Sequence, residues 1–125
     1  MKQPTKKTSI ESEKKTSVEQ IRLYGTISPL LHSAFNEIKE LSKRKQDEEL
    51  KLKKVQIINR LLGKAKEVLK NEPTVEFLDL LDEDELPSNS DAVLIMSQYI
   101  SAMNKFHSDH YHSQDWEIGI KGEWD

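Results

Sequence analysis

The sequence predicts an all-α protein, a small helical bundle of about four main helices behind a disordered basic N-terminal tail. Three observations carry that reading. Apolar residues recur at three- and four-residue spacing along most of the chain, the period of a helix with one buried face. Cap residues and prolines punctuate that pattern where helices would begin and end. Charged residues make up 33% of the chain and hydrophobic ones 35%, a balance that suits helices with one buried stripe and broad solvated faces. At 125 residues the chain has the length of one domain, divided here into a tail (1–16), a bundle (17–112) and a C-terminal arm or extended tail (113–125).

The tail holds five lysines, two glutamates and almost nothing apolar, so burial cannot offset the entropy of ordering it. Ser17 reads as an N-cap with Gln20 three residues on, as in a capping box, and Gly25 as the stop after two turns. Ser28 and Pro29 read as a fresh start, a cap followed by proline at the first helical position. From there Leu31, Ala34, Phe35, Ile38 and Leu41 fall on one face.

Lys43, Arg44 and Lys45 are followed at once by Asp47, Glu48 and Glu49. Cations favour the end of a helix and anions the start of one, so a break is expected near Gln46 although no Gly or Pro enforces it. One straight helix could not bury both flanking stripes, because the second is displaced by roughly a third of a turn at about 100° per residue.

The next helix uses Leu52, Val55, Ile58, Leu61, Leu62, Ala65, Val68 and Leu69 in a wide apolar arc, and ends before Pro73. A short helix then carries Val75, Phe77, Leu78, Leu80 and Leu81. Ser88, Asn89, Ser90 and Asp91 offer overlapping caps for the clearest helix, with Ala92, Ile95, Met96, Tyr99, Met103 and Phe106 on its buried face. Beyond Tyr111 the pattern dissolves into Trp116, Ile118, Ile120 and Trp124, which alternate with polar residues and suit a short strand or an arm packed on the bundle.

Several classes fall away. The chain has no cysteine, so disulfides and thiolate metal sites are excluded. The longest apolar run, residues 92–96, is far short of the ~20 a membrane span needs. The lysine-rich start has no apolar core for a signal peptide, so the expected location is cytoplasmic. There is no Gly-rich phosphate loop, nucleophile elbow, cysteine nucleophile or HExxH, and nothing selects a partner for His32, so no catalytic residue is assigned and no cofactor is expected.

The charge layout is the sharpest feature. Residues 1–42 carry a net +2, residues 43–70 a net +6 and residues 71–125 a net −11, although the whole chain is only −3. The halves could neutralise each other inside the bundle, or meet between copies to give a homo-oligomer. The acidic set Asp79, Asp82, Glu83, Asp84, Glu85 and Asp91 could instead capture a basic protein surface. Alternatively Lys53, Arg60 and Lys64, on one outward stripe, could join the tail in binding nucleic acid, against which the acidic pI of about 5.8 counts.

His107 and His110 lie one helical turn apart, a spacing that can chelate zinc, or they complement the end of a helix dipole. Trp116 and Trp124 are candidate interface anchors or plain covers for the bundle edge. The reading reached from sequence is a non-catalytic protein–protein interaction module, regulatory or accessory, with nucleic-acid binding as the competing class.

Overall fold

Ser17 opens the first helix through the reciprocal bonding that its spacing to Gln20 predicts. The Ser17 hydroxyl accepts from the Gln20 amide at 3.1 Å, and the Ser17 amide donates to Gln20 Oε1 at 3.2 Å. The computed structural model describes residues 17–110. Among these residues are three α-helices, α1 (Val18–Arg44), α2 (Leu52–Val68) and α3 (Asn89–His110), with one 3₁₀ turn at Pro73–Phe77. The expected tail (1–16) and arm (113–125, with both tryptophans) lie outside the described residues.

The all-α class holds, but the count of about four main helices is corrected to three. The expected stop at Gly25 and restart at Ser28 do not occur: α1 runs through both. No described glycine has a positive φ, so Gly25 does not make the left-handed turn of a helix stop. The reason is burial. Ile21, Ile27, Leu31 and Ile38 form one continuous stripe, all buried. A mid-helix proline costs about 3 kcal/mol relative to alanine. Burying Ile27 and Leu31 beside it contributes roughly 1.5–3 kcal/mol each, enough to carry the helix across.

The break near Gln46 is where the charge reversal places it, since α1 ends at Arg44 and α2 begins at Leu52. Leu50, in the intervening loop, is buried. Val55, Ile58, Leu62, Ala65 and Val68 form the buried stripe of α2, while Leu52, expected within the apolar arc, stands exposed. Gln20 is itself buried and donates from Nε2 to the Val68 carbonyl at 2.8 Å. That bond ties the start of α1 to the end of α2, so the two run antiparallel.

The short helix expected after Pro73 is helical only over Pro73–Phe77, as a 3₁₀ turn; Leu78 is extended and residues 78–81 are not helical. Leu78 and Leu81 are buried, but Phe77 and Leu80 are 73% and 46% exposed. A helix could not present those four residues so while giving its backbone to the side-chain partners described below.

The start of α3 leaves no orphan amide in its first turn. Asn89 N donates to the Glu48 carbonyl at 2.8 Å and Ser90 N to the Gln46 carbonyl at 3.0 Å. Asp91 N is capped by the Ser88 hydroxyl at 3.1 Å, and Ala92 N reaches the Ser88 carbonyl at 3.0 Å. Thus Ser88 is the cap, and the loop between α1 and α2 supplies the other two acceptors. Ala92, Met96, Tyr99, Met103 and Phe106 then face inward. Helix α1 packs on both α2 and α3, which touch each other far less. No described helix is long and apolar enough to cross a membrane.

Replacing Pro29 tests the continuous helix. Because Pro29 is solvent-exposed and interior, Pro29→Ala is expected to raise stability by up to about 3 kcal/mol, measured by denaturant unfolding. A neutral or destabilising result would place a helix start at Ser28 instead.

Candidate functional site

Residues 78–85 bring most of the acidic set together on a backbone held almost atom by atom. Asn59, on α2, acts as a substitute strand: its Nδ2 donates to the Leu81 carbonyl and its Oδ1 accepts from the Leu81 amide, both at 2.9 Å. Lys66 Nζ donates to the Leu78 carbonyl at 2.9 Å, and the Tyr99 hydroxyl of α3 donates to the Asp79 carbonyl at 2.8 Å. Three side chains from two helices therefore do what a neighbouring strand would do. Leu78 and Leu81 anchor the segment in the core.

Next along the chain, Asp82 closes a tight turn on itself. Its Oδ1 accepts from the Asp84 and Glu85 amides at 2.8 and 2.9 Å. These bonds, Glu85's first, favour the ionised form and hold the Asp82 carboxyl below its usual range. Asp79, Asp82, Glu83, Asp84, Glu85 and Asp91 are all exposed. None of them forms an ion pair with a described residue; the one polar side-chain neighbour in the turn is Asn59 Nδ2, 3.4 Å from Glu83 Oε2. Phe77 and Leu80, both exposed, flank Asp79, so the surface is mixed apolar and acidic.

The basic set is arranged differently. Lys53, Arg60 and Lys64 are exposed on α2, but Arg60 and Lys64 line a groove that they share with Glu37 and Glu67. Lys64 pairs with Glu67 at 3.5 Å. The row is therefore interrupted by carboxylates, unlike a continuous track of cations. No ion pair among the described residues joins residues 43–70 to the acidic run, so the opposed charges of the two segments are not neutralised by direct contact.

The two histidines of α3 go to different neighbours. His107 stacks on Tyr24 of α1 with ring centroids 5.7 Å apart. His110 lies 3.0 Å through Nε2 from Glu72 Oε2, and 4.9 Å from the Phe106 ring. Together they fasten the end of α3 to α1 and to the segment after α2. The described residues contain no group of three or more His, Asp or Glu arranged to hold a metal. His32 donates from Nδ1 to the Ser28 carbonyl at 2.8 Å, inside its own helix.

Asn59, Lys66 and Tyr99 were not foreseen as the residues that position the acidic turn. The available signal was Asn59 itself, a lone amide between the apolar Ile58 and Leu61 on a helix whose neighbours are buried. Asn59→Ala would leave the Leu81 amide and carbonyl unpaired, and is expected to cost about 1–3 kcal/mol in denaturant unfolding. A loss under about 0.5 kcal/mol would mean the clamp is not formed.

Burial, and secondarily the Asp79 carboxylate, pushes the Tyr99 phenol up to about 12. Folded, the phenol keeps its proton to about pH 12, whereas the unfolded chain ionises near 10. The stability this difference contributes is complete below pH 10 and disappears as pH rises towards 12. Tyr99→Phe should flatten the alkaline fall of Tm over that window, and an unchanged slope would assign it to other groups. No family model matches the chain, and no curated protein or solved structure matches it.

Proposed function

We propose that the protein is a non-catalytic interaction module, regulatory or accessory, that takes a basic surface of another protein on its acidic turn. The observation that carries this reading is the backbone of residues 78–85, fixed by Asn59, Lys66, Tyr99 and Asp82 while its carboxylates stay exposed and unpaired by described cations. A turn held in this way presents its charges without an ordering cost at the moment of binding. Exposed Phe77 and Leu80 beside Asp79 supply apolar contact, which charge alone does not. Surface carboxylates steer a cationic partner and set the salt dependence of its arrival.

The test compares wild type with a charge-neutral variant carrying Asp82→Asn, Glu83→Gln, Asp84→Asn and Glu85→Gln. Asparagine at 82 keeps the oxygen that closes the turn, so the fold should survive, as circular dichroism would verify. Partners recovered by wild type at low salt should be lost with the variant and weakened by added salt. Partners retained in full by the variant would sink the reading. Binding of generic DNA or RNA that disappears on Lys53→Glu, Arg60→Glu and Lys64→Glu would move the activity to α2 instead.

A further inference from the structure

We propose that two copies of the chain associate through the faces of α1 and α2, giving a two-fold dimer in which two antiparallel helix pairs form a four-helix layer. The surface between α1 and α2 is an open groove of about 800 Å³, lined by Ile27, Leu30 and Ala34 on one wall and Ile57, Leu61 and Gly63 on the other. Leu30 and Ile57 are 52% and 50% exposed, on helices that each bury a separate stripe in the core. Large aliphatic side chains left in solvent on both walls of one groove mark a surface that gains by being covered.

Gly63 is the second, independent observation. It lies inside α2, where glycine is unfavourable relative to alanine. Nothing among the described residues requires it, since a Cβ at that position would meet none of their atoms within 4 Å. What the glycine does is leave a notch in the α2 wall of the groove, open from outside. A bulky side chain from another molecule can seat there, as a knob enters a hole between packed helices.

The charges select the occupant. The groove holds Arg60, Lys64 and Glu67 on α2 and Glu37 on α1, two of each sign. An evenly mixed lining favours neither an acidic nor a basic foreign helix. It is self-complementary, because a two-fold axis sets each copy's α1 against the other's α2, bringing Glu37 towards Arg60 and Lys64 of the second copy. In the same arrangement Leu30 of each copy, on α1, faces the α2 wall of the other where Gly63 leaves its notch, while Ile57 of each copy faces the other's α1. The contact is chiefly apolar, so it is distinct from the salt-dependent capture assigned to the acidic turn and does not rest on it.

Light scattering after size exclusion tests this on the full chain from about 1 to about 200 μM. The expected mass is twice the 14.5 kDa of the chain, with the dimer persisting in high salt. Leu30→Glu and Ile57→Glu, both at exposed positions, should give monomers with unchanged helical circular dichroism. Gly63→Gln, which fills the notch with a good helix former, should weaken dimerisation at least about tenfold. A wild-type monomer throughout would overturn the proposal and leave the groove to a foreign amphipathic helix. A dimer that dissolves in high salt, or one that survives all three substitutions, would overturn it by placing the contact elsewhere.

Discussion

Helix α1 buries residues towards both of its neighbours at once, and the rest of the fold depends on that. Since α2 and α3 meet each other only sparingly, α1 is the element through which each is held. Leu31, with no exposed surface, sits midway along it. A helix so placed cannot be interrupted without uncovering one neighbour, which is why it continues past Gly25 and Pro29 despite their local preferences.

Polar side chains then do the work of joining α2 to α3. The chain between them has one 3₁₀ turn and otherwise no regular structure, yet its backbone is partnered by Asn59, Lys66 and Tyr99. At the other end of the bundle the first amides of α3 pair with loop carbonyls that follow α1, and Leu50 N donates to the Pro87 carbonyl at 2.8 Å. Asn89 completes that joint, donating from Nδ2 to the Lys45 carbonyl at 2.8 Å while its buried Oδ1 stays unpartnered. An unpaired buried acceptor costs about 1–3 kcal/mol, so this joint is stabilised through one half of the amide at the expense of the other.

Charge has a different role. Apart from the Glu72–His110 contact, the ion pairs among the described residues are local, such as Glu40–Lys43 and Lys105–Asp109 on single helices, both largely in solvent. Pairs of that kind contribute little to stability. Within the described residues, the strong polarisation between residues 43–70 and the acidic run that follows is therefore not a device that holds this fold together. It leaves two surfaces of different character: a rigid acidic turn with apolar flanks, and a mixed-sign groove with an apolar floor.

Periodicity and charge in the sequence by themselves determined the all-α class, the capping box at Ser17, the break between Arg44 and Leu52, a cap within residues 88–91 and the buried stripe of α3. Each depends on residues within about one or two helical turns of one another, so local physical chemistry decides it. The composition also placed the acidic run on an exposed segment. Tertiary structure decided the rest. Gly25 and Pro29 are locally a stop and a start, and only burial against two other helices overrides them. Residues 78–81 carry enough leucine for a helix, yet are not helical, and Asn59, about twenty residues earlier, and Tyr99, about twenty later, take their backbone groups. Such pairings are long-range in sequence and leave no periodic trace in it, so the fixed acidic turn and the notch at Gly63 emerge only once the helices are packed.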